Sequence, residues 1–345
     1  MKKIAYIELD THAELAVNFI ELTRDINFLH IDYFFSRKVS DRINEGGNNI
    51  YIAEASDLLK KLEGRRYDAI IIGTAHRYFN VFEEVARNYT TFIIAHNLNF
   101  IKASKTDLFR SIFKKDMAYR LKLWFKEGLF RKDRLYSLAK FLFVVDENMY
   151  PPHYPYRLEW LPLLYTKYSS VKADPERVVI AGTVDQHRRN YRRIFNKIKY
   201  FKGNFIFTFL GRAQGKELHA LQDLSQSLPK HIEIEYYDTR VSRQEFEQKI
   251  QQAGVLWCPI QKGTSFFSIA EIYGKTKMSG NIGDAIKYAK PAIFPSSYLT
   301  DYSFIFKERR DIEKQISDLK NKIYDFDSFK KELVKRKLGE LLRNL

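Results

Sequence analysis

The segment Glu271–Pro295, EIYGKTKMSGNIGDAIKYAKPAIFP, concentrates the residue types that hold an anion. Gly274, Gly280 and Gly283 lie in a polar loop that opens a helix near Asn281. A glycine-rich turn at a helix N-terminus leaves backbone N–H groups free for an anion, and the helix dipole favours it. Lys275 and Lys277 add positive charge at the same place and Ser279 a hydroxyl, which together describe a diphosphate site. Gly274-Lys275-Thr276 has part of a P-loop spelling, but the first glycine that loop requires would fall at Ile269, and the reading is rejected. A second candidate is VVIAGTVDQHRRNYRRIF, where a strand ends at Ala181-Gly182-Thr183 and a basic helix follows. Arginine forks suit phosphate oxygens. At about 3.6 residues per turn, Arg188 shares a face with Arg192 and Arg189 with Arg193, so all four cannot reach one ligand. Arg188 and Arg189 are the ligand candidates, and the later pair reads as solvated surface.

Three histidines follow strand-like runs: His12 in ELDTHAEL, His76 in GTAHRYF and His96 in IIAHNLNF. Imidazole exchanges a proton near neutral pH, so each is a candidate general base, although any one of them also reads as a structural residue. No His/Cys pair has zinc spacing. Asp325-Phe326-Asp327 reads as a helix cap and Cys258 as core, so no metal site is expected.

Positioning such groups requires a regular scaffold, and the chain supplies one. Short apolar runs alternate with longer amphipathic ones, the pattern of βα units and a parallel sheet. Strands are expected at Lys3–Leu9, Phe28–Phe35, Ile50–Glu54, Asp68–Thr74, Thr91–His96 and Phe141–Asp146. Helices are expected at Ala13–Thr23, Ser56–Leu62, Phe79–Asn88 and after Thr106, with Ser56 and Thr106 as N-caps. The stretch MYPPHYPYRLEWLP, with four of nine prolines, interrupts the alternation as a stiff connection. Strands then resume at Arg177–Ala181, Phe205–Leu210, Ile232–Tyr236, Val255–Pro259 and Pro291–Phe294. Helices between and after them fall at Arg188–Phe201, Lys216–Leu228, Arg243–Ala253, Asn281–Ala289 and Asp311–Ile323. The expectation is an α/β chain of two doubly wound Rossmann-like domains, residues 1–165 and 166–345, with the ligand in the cleft between them.

Composition narrows the class. With 345 residues, 45% apolar and 15% aromatic, the chain folds rather than staying disordered. One cysteine excludes a disulfide framework and suits a reducing compartment, and no apolar run reaches the roughly 20 residues that cross a bilayer. A soluble cytoplasmic protein is expected. The net charge of +16 points naively to nucleic acid. The excess, however, is local: residues 102–140 hold 12 basic against 4 acidic residues, 186–202 hold 7 and none, and 330–345 hold 6 and 2. The first of these interleaves Lys114, Lys115 and Lys122 with Trp124 and Phe125, as a helix lying in an anionic membrane interface would, or one packing its apolar face on a sheet.

The order of motifs in the second half resembles the nucleotide-sugar domain of GT-B-fold glycosyltransferases. The match runs through VVIAGTVDQHRR, FTFLGRA with Gly211, IEIEYYDTRVSRQEF, VLWCPI, the glycine loop and DAIKYAKPAIFP, covering most of residues 175–300. The resemblance implies that Asp284 holds the donor ribose. It implies that Arg188 or Arg189 with Lys277 hold the diphosphate, and that Gly182, Thr183, Gly211, Lys275, Ser279 and Gly280 line the donor. The usual two glutamates with seven residues between them are absent, since Thr276, not a glutamate, lies eight before Asp284. Glu271 fits the first position only if KTKMSGNIG is an insertion. The first half resembles the acceptor domain more loosely. His12 is similar to the base of inverting members, with Asp10 or Asp146 to orient it, and His96 to a sugar-site histidine of retaining members.

The expected function is metal-independent transfer of a sugar from a nucleotide-diphosphate sugar to a lipid-linked, polysaccharide or other cell-envelope acceptor. The nucleotide sugar is a co-substrate and no cofactor is implied. The 102–140 segment would seat the protein on the anionic inner face of the plasma membrane. The alternatives are a nucleic-acid-binding protein, which the charge alone suggests and no recognisable module supports, and an inactive GT-B partner subunit.

Overall fold

The computed structural model describes every residue except 44, 45, 48 and 169. Seven strands make the first sheet: β1 (Lys2–Glu8), β2 (Leu29–Phe35), β3 (Ile50–Ile52), β4 (Ala69–Ile72), β5 (Thr91–Ile94), β6 (Phe141–Val144) and β7 (Leu158–Trp160). Their order is β3-β2-β1-β4-β5-β6-β7, all parallel. Eight strands follow: β8 (Asp174–Ala181), β9 (Phe205–Arg212), β10 (Ile232–Tyr237), β11 (Ala253–Trp257), β12 (Gly263–Phe266), β13 (Ile269–Ile272), β14 (Ala292–Phe294) and β15 (Ile305–Lys307). Six form a second parallel sheet, β10-β9-β8-β11-β14-β15, while β12 and β13 pair alone as an antiparallel hairpin. Each larger sheet reverses its strand order once, between β1 and β4 and between β8 and β11. The crevice at such a point, beyond the strands' carboxyl ends, is where ligands bind.

The first half carries α1 (Ala13–Thr23), α2 (Arg37–Ile43), α3 (Leu58–Leu62), α4 (Phe79–Asn88), α5 (Leu98–Lys102), α6 (Lys105–Ile112), α7 (Met117–Phe125) and α8 (Lys132–Leu138). The second carries α9 (Tyr191–Ile198), α10 (Gly215–Ser227), α11 (Arg243–Gln251), α12 (Gly280–Lys287), α13 (Ile312–Leu319) and α14 (Lys331–Arg343). Parallel strands must be covered on both faces, which is why Ala69–Ile72 reads as an unbroken apolar run and is wholly buried. One core cluster runs from the first sheet through Leu161, Leu163 and Leu164 into Ile282 and Ala285 of α12, joining the domains. Separate clusters fill the far side of each sheet. The chain ends by returning: α14 packs on α1 of the first domain.

Several local expectations are corrected. Ser104, not Thr106, caps α6, accepting the Asp107 N–H. Ser56 is not the cap of α3, which begins at Leu58 after Asp57. The proline-rich stretch is not merely a connection, because residues 158–160 add the edge strand β7. An edge tolerates the neighbouring Pro155 and Pro162, which cannot donate to a ladder. The hairpin β12–β13 has no glycine or asparagine at its turn. Phe267 and Ser268 take the positive φ values, 50° and 59°, where Asn-Gly would be the usual signal.

This hairpin leaves its own domain and enters the other. Phe266 and Phe267 pack against Phe100, with ring centroids 4.9 and 5.4 Å away, and Ser268 accepts from Arg120 of α7 at 2.9 Å. Buried Glu271 of β13 accepts the N–H groups of Asn99 and Phe100 at 3.2 and 2.8 Å, at the start of α5. At the other end of α5, the buried Lys132 ammonium donates to the carbonyls of Phe100, Ile101 and Ala103. A five-residue helix thus has an acid on its amino end and a cation on its carboxyl end, as its dipole requires.

Candidate functional site

A cleft of about 870 Å³ lies between the domains, walled by α1 on one side and by α11 and α12 on the other. His12, at the N-cap position of α1, makes no side-chain cap bond, so its imidazole is free for the cleft. Its Nδ1 lies 2.9 Å from Glu14 Oε1. Its ring stacks on His96, centroids 3.8 Å apart and planes 16° from parallel. His96 donates from Nε2 to the Gly73 carbonyl at 2.8 Å. Burial first, and the nearby His12 and His76, hold His96 well below the ordinary histidine range. With the proton on Nε2, its Nδ1 is an acceptor. The Asp10 and Asp146 expected to orient His12 do not touch it. Asp10 pairs with Lys38 and Arg77, and Asp146 accepts from Tyr302 and Asn148. Glu14, two residues on in the first turn of α1, takes that place.

Opposite stand Lys277, Gly280 and Asp284. Lys277 donates to Asn97 Oδ1 of the first domain, and Asn97 Nδ2 donates to His76 Nε2 at 3.1 Å. Burial lowers the Lys277 ammonium to about 8. Burial likewise raises the Asp284 carboxyl to about 6, against the pull of Arg189 and Lys287. Ser279 is buried as the N-cap of α12, accepting the Asn281 N–H, so its hydroxyl is committed to the helix. Lys275 is exposed and outside the cleft lining.

The arginine segment differs from the sequence expectation. Asn190 caps α9, so Arg188 and Arg189 precede the helix instead of riding on it. Arg189 reaches Thr183 O and Asn281 Oδ1 at 3.4 and 3.2 Å, and Asn281 Nδ2 in turn reaches Asp284 Oδ2 at 3.3 Å. The guanidinium is therefore tied to the carboxylate wall through one asparagine. It lies over Gly182, whose φ of 106° excludes most side chains. Gly211 approaches the Gly182 carbonyl so closely that no Cβ fits, so its glycine serves strand-end packing. Neither glycine, nor Thr183, nor either arginine lines the cleft itself. Arg188 is exposed, yet its charge is felt at Lys277. Arg193 pairs with Glu308 at 2.8 Å. Glu271 serves α5 and is not at the cleft.

The 102–140 segment divides between its two readings. Leu108, Ile112, Leu123 and Leu129 are core, while Phe113 is 62% and Phe125 72% exposed. Lys114, Lys115 and Lys122 are exposed beside them, and Trp124 is half-buried. Among the described residues no helix is long and apolar enough to cross a membrane, and no group of three His, Cys, Asp or Glu could hold a metal.

No family model matches the sequence, and no curated protein matches it. Solved structures do. The lipopolysaccharide outer core galactosyltransferase WaaB, in its apo form, is similar at a TM-score of 0.59 and 10% identity, over 99% of this chain and 100% of that one. UDP-GlcNAc 2-epimerase from Neisseria meningitidis, bound to UDP-GlcNAc, gives 0.54 at 10% identity over 100% of both chains. A UDP-glucosyltransferase from Polygonum tinctorium gives 0.51 at 10%, over 99% and 93%. The likeness shows the fold: two doubly wound domains facing across a cleft, the GT-B architecture.

Proposed function

We propose that this chain is a GT-B glycosyltransferase that moves a sugar from a nucleotide-diphosphate sugar to an acceptor hydroxyl. The observation that carries the reading is the opposition of His12 and Lys277–Asp284 across one cleft. The donor lies along the second domain, its diphosphate at Lys277 and the start of α12 and its ribose at Asp284. Lys277 and the positive end of the α12 dipole stabilise the charge that develops on the leaving diphosphate, the task a metal performs elsewhere. His12 takes the acceptor proton on Nε2 while Glu14 holds Nδ1 and the imidazolium that forms. A base on the wall opposite the donor supports single displacement with inversion. Two of the similar structures are named as a UDP-glucosyltransferase and a UDP-GlcNAc 2-epimerase, which supports a nucleotide-diphosphate-sugar donor.

Melting curves against UDP-, GDP-, ADP- and CMP-sugars test the reading. One nucleoside-diphosphate class should raise the melting temperature, since ligand at 100 times Kd stabilises by about 2.7 kcal/mol. A response to none, or to CMP-sugars alone, overturns the diphosphate site.

The acceptor is lipid-linked or part of an envelope polysaccharide, and the protein works on the cytoplasmic face of the plasma membrane. Exposed Phe113 and Phe125 among Lys114, Lys115 and Lys122 support this. Each surface cation contributes about 1 kcal/mol toward an anionic bilayer. The protein should therefore sediment with phosphatidylglycerol vesicles and not with phosphatidylcholine. The Phe113→Asp/Phe125→Asp pair should weaken that binding at least about tenfold, from the apolar burial lost. Equal binding to both lipids would remove the membrane from the proposal.

A further inference from the structure

One buried carboxylate of the first domain has no part in the chemistry above. Glu8 ends β1 fully buried, and desolvation holds its carboxyl above the ordinary range although several donors converge on it. Oε1 accepts the N–H of Asp10 at 2.9 Å and of Thr11 at 3.2 Å, and Oε2 accepts the Thr74 hydroxyl at 2.6 Å. Those two amides form the turn that leads into His12. Next to Thr74, the Gly73 carbonyl accepts from His96, the ring on which His12 stacks. A Cβ on Gly73 would lie 2.7 Å from Glu8 Oε2 and 2.8 Å from the Tyr6 hydroxyl, so only glycine allows this approach. The end of β4 therefore holds both the carboxylate beneath the His12 turn and the imidazole beneath the His12 ring. A short turn into a helix can form without any buried charge, and burying one is costly unless its partners are in place.

We propose that Glu8 is a positioning residue for His12: by tying the Asp10 and Thr11 amides to Thr74, it sets the imidazole on His96 and toward the donor wall. This rests on the reading of His12 as the base. Glu8→Gln keeps the shape and removes the charge, and Thr74→Val removes one of the donors that hold the carboxylate. The assay is hydrolysis of whichever nucleotide sugar most raises the melting temperature, with water standing in for the acceptor. Glu8→Gln should lower kcat by about 10- to 100-fold with KM unchanged, the scale of a misplaced catalytic group. Thr74→Val should act the same way and less.

In a His12→Ala background, Glu8→Gln should cost nothing further, because neighbours that act through one group are not additive. Additive losses, or unchanged kcat in both single variants, would overturn the proposal. A His12→Ala enzyme as fast as the parent would instead overturn the base. Carbethoxylation of His12 by diethylpyrocarbonate, followed by mass spectrometry, reads its presentation without substrate. It should quicken several-fold in both Glu8→Gln and Thr74→Val, and equal rates in all three proteins would sink the positioning role whatever the turnover.

Discussion

His12→Ala is expected to lower kcat by about 10²- to 10⁴-fold, the usual contribution of a positioned base, and to leave nucleotide-sugar affinity nearly unchanged. The separation follows from where the residue stands. His12 belongs to the wall opposite Lys277 and Asp284, so the donor's charged groups do not depend on it. The substitution should also be well tolerated by the fold, because the His12 side chain makes no cap bond to α1. Steady-state kinetics alongside donor calorimetry checks the prediction. Loss of affinity equal to the loss of turnover would place His12 in donor binding instead. Glu14→Gln should show a smaller loss in kcat, since the amide still accepts from Nδ1 but no longer balances the imidazolium.

Lys277→Met should weaken binding of the nucleotide sugar by about 10- to 100-fold, from a charge-assisted contact worth roughly 1.5–3 kcal/mol. The same lysine predicts a pH dependence. Its ammonium is lowered to about 8 by burial, so the free protein loses this cation as pH rises through that value. An anionic ligand binds the cationic form, and affinity should therefore fall above about 8. Asp284 sets the other limb. Its carboxyl, raised to about 6, becomes neutral below that pH and accepts ribose hydroxyls less well. Donor affinity should form a plateau between the two values. Above the upper limb, binding should draw a proton onto Lys277, visible as a buffer-dependent heat. A flat profile in Lys277→Met at high pH, with the parent falling, assigns that limb to this residue. An unchanged limb in the variant removes the assignment.

Much of the scaffold was legible because βα units declare themselves by alternation. Once strands end near Leu9 and Ile94, His12 and His96 have to stand at the same edge. What escaped notice was whatever depends on another domain. The hairpin Gly263–Ile272 hides its phenylalanines in the first domain, so its pattern answers to a surface that local sequence does not contain. Glu14 reads locally as an acid favoured by the helix dipole in the first turn of α1, and only the geometry of the N-cap turns it into a partner for His12. Arg188 and Arg189 looked helical because residues 188–201 keep the period. The Asn190 side chain, which accepts the Arg193 N–H, starts the helix later and turns Arg189 back toward Asn281.

The charges at the two ends of α5 have a mechanical corollary. Lys132 comes from α5's own domain, while Glu271 comes from across the cleft. Pulling the domains apart at this corner would strip a buried carboxylate of two amides and leave those amides bare, at a cost of several kcal/mol. Sliding there is blocked as well, by Phe266 and Phe267 set into the first domain. This corner is thus a fixed join between the domains, and Lys277, which donates to Asn97 at the N-cap of α5, is held at that join.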